Sequence, residues 1–165
     1  MLGYIISEEP GQADTVLKQF AADLLSRGVN VVGAVQHTQR ENDAKQDMVL
    51  ELLPDGPHIR ISQDLGKLAT GCSLDPEGLE EAAGLIRAQL DASPDLLLLN
   101  KFGKQEAEGQ GFRALIGAAL SQGTPVLIGV GRAKLPAFLE FAGEMGEELS
   151  TSPTALLSWC KNQST

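Results

Sequence analysis

The sequence has few cysteines, few aromatic residues and an excess of negative charge, and each feature excludes a class of protein. The 165 residues include two cysteines and no Cys-x-x-Cys pair, which argues against a disulfide scaffold or a zinc knuckle. Aromatic residues make up 4% and the net charge is −9, so we expect no nucleic-acid partner. The longest unbroken apolar run, Leu96–Leu99, is too short to cross a bilayer, so we expect no membrane partner.

Histidine is also scarce, which argues against a dedicated metal centre. Only His37 and His58 are present, and a transition-metal site needs several ligands in a fixed geometry. Glu8 and Glu9 have the carboxylate oxygens that Mg²⁺ or Ca²⁺ prefers, although adjacent acidic residues in loops are more often simply solvated. We therefore predict no metal site. The amino terminus lacks the charged and apolar segments of a secretory signal, so we expect a cytoplasmic protein.

Hydrophobic residues make up 42% of the chain, and their spacing alternates between strand and helix patterns from end to end. We predict one α/β domain over residues 1–165, with a mainly parallel sheet between two helical layers. Predicted strands cover 2–6, 29–35, 48–53, 58–62, 96–99 and 126–130, of which 48–53 and 58–62 form a hairpin. Predicted helices have apolar faces over 13–25, 79–90 and 112–120, with two more around 135–142 and 153–161.

Ligands of such sheets bind outside the carboxyl ends of the strands. That rule gathers the predicted loops 7–12, 36–47, 63–74, 100–110 and 130–134 at one edge. Within them, Cys72 is either a reactive thiolate or a small packing residue. The candidate ligand-binding residues are Glu8, Glu9, Pro10, Gly11, Asp14, Thr15, Gln36, Asp64, Cys72, Asn100, Lys101, Lys104 and Arg132.

The first loop lies between an apolar strand and an amphipathic helix, where an α/β protein can carry a phosphate-binding loop. A working P-loop would have glycine near position 8 and glycine followed by lysine at 13 and 14. This chain has Glu8, Ala13 and Asp14 instead. The location predicts a ligand site, whereas the residue types argue against holding phosphate in the customary pose. Asp14 has an alternative purpose, which is to cap the first helix where a phosphate would otherwise lie.

Two motifs resemble those of the thermophile-type nucleoside triphosphatases, a small P-loop family. One is Pro10-Gly11-x-x-x-Thr15-x-Leu17, and the other is the apolar strand and loop over residues 95–106. The resemblance covers most of the chain in element order, including the hairpin after the second strand. It implies a three-layer α/β/α P-loop fold with that β-hairpin inserted.

The second motif departs from the family at the residues that bind the metal ion. The family has an Asp-Glu pair after the strand, and Asn100 and Lys101 stand there, while Gly103 and Glu106 keep the spacing. In phosphoryl transfer an acidic residue at that place holds Mg²⁺, and the loop lysine offsets phosphate charge. Thr15 cannot replace both groups, so the departures argue against conventional hydrolysis.

Four phrases resemble a bacterial family known only as a domain of unknown function. They are Gly33-Ala-Val-Gln36, Gln63-Asp64-Leu65-Gly66, Gly71-Cys72-Ser-Leu-Asp75 and Asn100-Lys-Phe-Gly-Lys-Gln-Glu106. The resemblance also implies an association with molybdate-transport genes, near which members of that family lie. The four phrases themselves do not indicate molybdate as a ligand.

We predict a binding or regulatory module for a small polar or anionic ligand or a partner protein, with a nucleotide and Mg²⁺ as candidate ligand and cofactor. Lys101, Lys104 and Arg132 are the expected positive contacts, and Asn100 and Gln36 the expected hydrogen-bonding groups. Two alternatives remain open. One is a nucleoside triphosphatase or phosphotransferase whose basic residues have moved, and the other is a protein-interaction scaffold with an acidic surface.

Overall fold

One mixed sheet organises the part of the chain that the computed structural model describes, residues 1–40, 46–62 and 74–163. Within these ranges the strands are β1 (Leu2–Ser7), β2 (Val31–Arg40), β3 (Gln46–Leu53), β4 (His58–Arg60), β5 (Leu96–Phe102), β6 (Val126–Gly131) and β7 (Gly146–Glu148). Their order across the sheet is β4-β3-β2-β5-β6-β1-β7. The pairs β2–β5, β5–β6, β6–β1 and β1–β7 are parallel, while β3 and β4 form an antiparallel hairpin after β2. The predicted α/β fold with an inserted hairpin is therefore confirmed.

Helices cover both faces of the sheet. The described helices are α1 (Gln12–Ser26), α2 (Pro76–Leu90), α3 (Lys104–Ala107), α4 (Arg113–Ser121), α5 (Leu135–Ala142) and α6 (Pro153–Gln163). The apolar faces of α1 and α6 pack in one core cluster, and those of α2, α4 and α5 pack in the other. No described helix combines the length and the apolar character that crossing a bilayer would require.

The four leucines of β5 link the two cores because consecutive side chains of a strand point to opposite faces. Leu97 and Leu99 belong to the α2 side, whereas Leu96 and Leu98 belong to the α1 side. All four are at most 2% exposed, which is typical of a parallel strand covered on both faces. The paired strands β1, β5 and β6 consequently end at the same edge of the sheet.

Gly33 allows β2 and β5 to pair at close range. Its φ is +129°, and a Cβ atom there would lie 1.9 Å from the backbone oxygen of Leu98. No side chain fits this position without displacing one strand. Gly84, in α2, offers a matched comparison: apart from its chain neighbours and the nearby backbone of its own helix, no atom of the described residues lies within 4 Å of the corresponding position.

The sequence-based boundaries were wrong at several places. The predicted loop Gln36–Asp47 is in part strand, because residues 36–40 of β2 pair with residues 46–50 of β3. The predicted loop 100–110 contains the end of β5 and the short helix α3, and β7 was missed. These segments are polar or very short, so they lack the apolar periodicity on which the predictions rested. Asp64 and Cys72 lie outside the described residues.

We predict that Gly33→Ala destabilises the protein by at least about 2 kcal/mol, because it adds backbone strain to a direct clash. Gly84→Ala should instead stabilise it by up to about 1 kcal/mol, since alanine is the better helix former. Urea unfolding of both variants measures the difference. Equal stability of the two variants would contradict the described pairing of β2 with β5.

Candidate functional site

A cleft of about 330 Å³ lies at the carboxyl ends of β1, β5 and β6. It contains many of the residues singled out in the sequence, although Thr15 and Lys104 are not among its lining residues. Thr15 instead donates its hydroxyl hydrogen to the Gly11 carbonyl oxygen within α1, at 3.2 Å. The predicted residues that line the cleft are Glu8, Glu9, Pro10, Gly11, Asp14, Gln36, Asn100, Lys101 and Arg132.

The loop between β1 and α1 satisfies several of its own amides. The amide of Glu8 donates to Gln12 Oε1 at 2.8 Å, and the amide of Gln12 donates to the Glu9 carbonyl at 3.2 Å. The Ala13 amide donates to Ser7 Oγ at 3.3 Å, while Ser7 Oγ donates to the Glu9 carbonyl at 2.7 Å. A phosphate cradle needs such amides to point at the ligand. Here the amides of residues 8, 12 and 13 already have acceptors within the chain.

Asp14 lies in the first turn of α1 and lines the cleft, but it does not cap the helix. Gly11 is the N-cap residue, with φ of 80°, and no side chain of the described ranges forms a capping hydrogen bond there. The suggestion that Asp14 caps α1 is therefore wrong. Burial raises the pKa of Asp14 to about 6, against an opposing effect of the Lys101 ammonium. The residue at the position of a P-loop lysine is thus an acid that titrates not far below neutral pH.

Asn100 and Lys101 stand at the end of β5, where the resembled triphosphatases have two acids. Asn100 is 4% exposed, and its Nδ2 donates to Gln36 Oε1 at 2.8 Å. Its Oδ1 is buried and has no hydrogen-bond partner among residues 1–40, 46–62 and 74–163. A buried carbonyl oxygen without a partner costs free energy, which a ligand donor would recover. The neighbouring Lys101 is exposed and brings positive charge to the same wall.

Arg132 is paired across the mouth of the cleft. Its Nε donates to Glu8 Oε2 at 2.9 Å, and its Nη2 donates to Glu8 Oε1 in a second, shorter contact. The hydrogen bond with Arg132 lowers the pKa of Glu8. Because both side chains are more than half exposed, the pair is open to solvent screening. Of the three basic residues expected to hold an anion, Lys101 thus lines the cleft, Arg132 is shared with Glu8, and Lys104 lies outside at the start of α3.

Glu106 has a structural role that the sequence analysis missed. Its carboxylate is buried and accepts hydrogen bonds from the amides of Gly103, at 3.0 Å, and Phe112, at 3.3 Å. Burial raises its pKa, although these hydrogen bonds oppose the change. Glu106 stands three residues after Gly103, as the glutamate of a helix capping box does. That spacing was the signal in the sequence from which the structural role of Glu106 could have been predicted. Glu106 therefore shapes the turn after Lys101 and is not among the residues that line the cleft.

A second hollow, of about 240 Å³, lies at the other end of the parallel strands. Its lining includes Leu24, Leu96, Leu157 and Cys160, and is mainly apolar. Burial raises the pKa of the Cys160 thiol to about 11, so this cysteine is protonated at neutral pH. Arg27, Asp95 and Lys161 also line this hollow, whereas nine of the predicted ligand-binding residues line the cleft at the carboxyl ends.

Comparison with known proteins gives a family, a relative and a fold. The family described as "Protein of unknown function (DUF2478)" matches residues 2–159. The chain is 34% identical over 152 residues to the molybdenum import ATP-binding protein ModC 2 of Bradyrhizobium diazoefficiens, covering 92% of this chain and 17% of that protein. The solution structure of a human cancer-related nucleoside triphosphatase superposes with a TM-score of 0.73 at 17% identity, covering 96% of each chain. This last similarity shows the three-layer P-loop nucleoside triphosphatase fold.

We predict that ionisation of Asp14 destabilises the folded protein. Its pKa is about 6 when folded, against an ordinary value of 3.8, so the unfolded chain loses this proton first. Stability is therefore lost as the pH rises between those values, and the loss is complete above the folded pKa. Asp14→Asn removes this pH dependence and should raise the free energy of unfolding at pH 7 by about 1–2 kcal/mol. This is less than the whole pKa difference would give, because the side chain is partly exposed and its charge is screened by solvent.

Urea unfolding of the wild type and Asp14→Asn at pH values from 4 to 7 measures this difference. Asp91→Asn, on the exposed end of α2, serves as the control. Parallel stability curves for the wild type and Asp14→Asn would contradict the raised pKa.

Proposed function

The chain belongs to the DUF2478 family, and we propose that its cleft binds a small polar ligand with an anionic group, such as a nucleotide or an oxyanion. In this proposal the protein is a binding or regulatory module that does not hydrolyse nucleoside triphosphates in the conventional way. The fold supports the location of the site, and the residues in the cleft support the chemistry.

The buried Oδ1 of Asn100 is the observation that carries this proposal. Within the part of the chain that the structure describes, it lacks a hydrogen-bond partner, and the wall of the same cleft contains Lys101. A nucleotide, whose hydroxyl and amine groups donate hydrogen bonds, would satisfy the oxygen while its phosphates meet the ammonium. An oxyanion without a donor, such as molybdate, would meet the ammonium directly and reach the oxygen through a water that donates to both. Gln36 holds the Asn100 amide from the other side, which fixes the direction of the unpartnered oxygen.

The charges near α1 argue against a triphosphate in the customary pose. A carboxylate about 4 Å from a phosphate charge costs about 4 kcal/mol at an effective dielectric constant near 20. Asp14 is largely ionised at neutral pH, since its pKa is about 6. The loop also engages the amides of residues 8, 12 and 13 with its own oxygens. A bound nucleotide would therefore place its phosphates toward Lys101 and away from the start of α1.

The relationship to a molybdenum import protein guides the choice of ligands. The chain spans 17% of the length of that ATP-binding protein, so we do not assign the activity of the whole relative to this chain. We propose that this family member serves as a ligand-responsive unit in such a system. ATP and molybdate are accordingly the first two ligands to test.

Thermal unfolding with ATP, GTP, molybdate or inorganic phosphate, each with and without Mg²⁺, tests the proposal. A ligand at 100 times its dissociation constant should add about 2.7 kcal/mol to the stability of the folded protein. We expect at least one of these compounds to raise the Tm. Lys101→Ala and Asn100→Ala should reduce that shift, whereas the control Lys104→Ala, outside the cleft, should retain it.

Three outcomes would contradict this function. Release of inorganic phosphate from ATP by the wild type, lost in Lys101→Ala, would favour an enzyme with relocated basic residues. Absence of any ligand-induced shift would favour an interaction scaffold. A shift retained in both cleft variants would place the ligand elsewhere.

A further inference from the structure

Three side chains that are distant in sequence meet on the sheet face that carries α1. They are His37 on β2, Glu51 on β3 and His58 on β4, and we call them the histidine cluster. Glu51 pairs directly with His58 across β3 and β4, while Val35 pairs with Glu51 across β2 and β3. Since side chains two residues apart share a face, His37 lies diagonal to Glu51 on the same face. The register of the hairpin therefore creates the cluster.

The distances within the histidine cluster fit a single metal ion. His37 Nε2 lies 2.5 Å from Glu51 Oε2, and His58 Nε2 lies 3.9 Å from the same oxygen. One donor atom from each of the three residues falls within 4.8 Å of the other two. In a tetrahedral zinc site with bonds of about 2.0–2.1 Å, neighbouring ligand atoms are about 3.3 Å apart. Small side-chain rotations bring the three donors to that spacing.

We propose that the histidine cluster binds one divalent transition-metal ion, of which Zn²⁺ is the first to test. Two imidazoles and one carboxylate form a donor set that suits Zn²⁺, and a water completes four-coordination. The side chain of His58 is 63% exposed, against 23% for His37 and 31% for Glu51. The ion therefore enters from solvent on the His58 side, and the position facing solvent holds the water.

Lys18 controls access to the site. Its Nζ lies 2.7 Å from His37 Nδ1, and an ammonium can only donate, so Nδ1 accepts that hydrogen bond. His37 Nε2 then carries the proton and donates it to Glu51 at 2.5 Å. Metal binding requires the other tautomer, with the proton on Nδ1 and the Nε2 lone pair directed at the ion. The exposed Lys18 must swing away for this change, so it competes with the metal.

Competition for Zn²⁺ against a chromophoric chelator, with untagged full-length protein at pH 7.5, measures the affinity and the stoichiometry. We expect one ion per wild-type chain. His37→Gln and His58→Gln should each weaken Zn²⁺ binding by at least about tenfold. Mutation of a residue that only orients a metal ligand already lowers the metal affinity by about that factor. Glu140→Gln, an exposed acid on α5, is the control and should bind as the wild type does.

Lys18→Met should tighten binding by about two- to tenfold, the range expected when one competing hydrogen bond is removed. Co²⁺ in place of Zn²⁺ provides a spectroscopic readout, because tetrahedral coordination by nitrogen and oxygen gives visible absorption that both histidine variants should lose. The exposure of His58 makes His58→Gln a suitable test even if His37→Gln fails to fold.

Absence of Zn²⁺ and Co²⁺ binding by the wild type would overturn the proposal. It would also be overturned if the histidine variants retained wild-type affinity, because the ion would then lie elsewhere in the chain. Retained affinity in Lys18→Met with loss in His58→Gln would leave the site in place but contradict the competition by Lys18.

Discussion

The parallel pairing of β1, β6 and β5 is the constraint on which the candidate site depends. These strands are covered on both faces, so their backbone groups must pair with one another and not with water. The register from Leu2–Val126 to Ser7–Gly131 and from Leu97–Val126 to Phe102–Val130 makes the three strands end together. The loop before α1, the pair Asn100-Lys101 and Arg132 therefore share one edge. Neither their charges nor their hydrogen-bonding groups would act together without that pairing.

The same fold carries different chemistry when the residues at this edge change. In a working P-loop protein, the loop lysine places positive charge beside the first loop. An acidic residue after the central strand holds Mg²⁺ on the opposite side of the cleft. In the function proposed above, Asp14 beside the loop and Lys101 at the end of β5 reverse the polarity of the cleft. The side chains of Gln12 and Ser7 accept hydrogen bonds from the amides of Glu8 and Ala13, which a phosphate in the customary pose would need. The similarity of fold is compatible with a ligand site at this edge. In the proposed function, a bound nucleotide would place its phosphates differently from a nucleotide in a working P-loop.

Sequence periodicity predicted the buried strands and the amphipathic helices because their signals are local. The run Leu96–Leu99 lies in a central strand, and Asp75 caps α2 by accepting from the Glu77 amide at 3.0 Å. The substitutions at Asp14, Asn100 and Lys101 were also visible in the sequence. Their positions in the cleft agree with the expected edge of the sheet.

What could not be predicted depends on register and on individual side-chain partners. The histidine cluster forms only because β2 extends beyond the predicted strand and pairs with β3, which no local pattern indicates. Arg132 was expected to bind an anion, but its partner Glu8 is 124 residues away. Likewise, the role of Gln12 as an acceptor for the loop follows from the turn geometry. Edge strands and ion pairs across the sheet require the folded arrangement.

A nuclear magnetic resonance titration with ATP and Mg²⁺ tests the reversed polarity of the cleft most directly. We predict that the side-chain amide signals of Asn100 and Gln36 shift at ATP concentrations that leave the backbone amide signals of Gln12, Ala13 and Thr15 unchanged. Large shifts of those backbone amides, at or below the concentration that moves Asn100, would place the triphosphate in the customary pose and contradict the account.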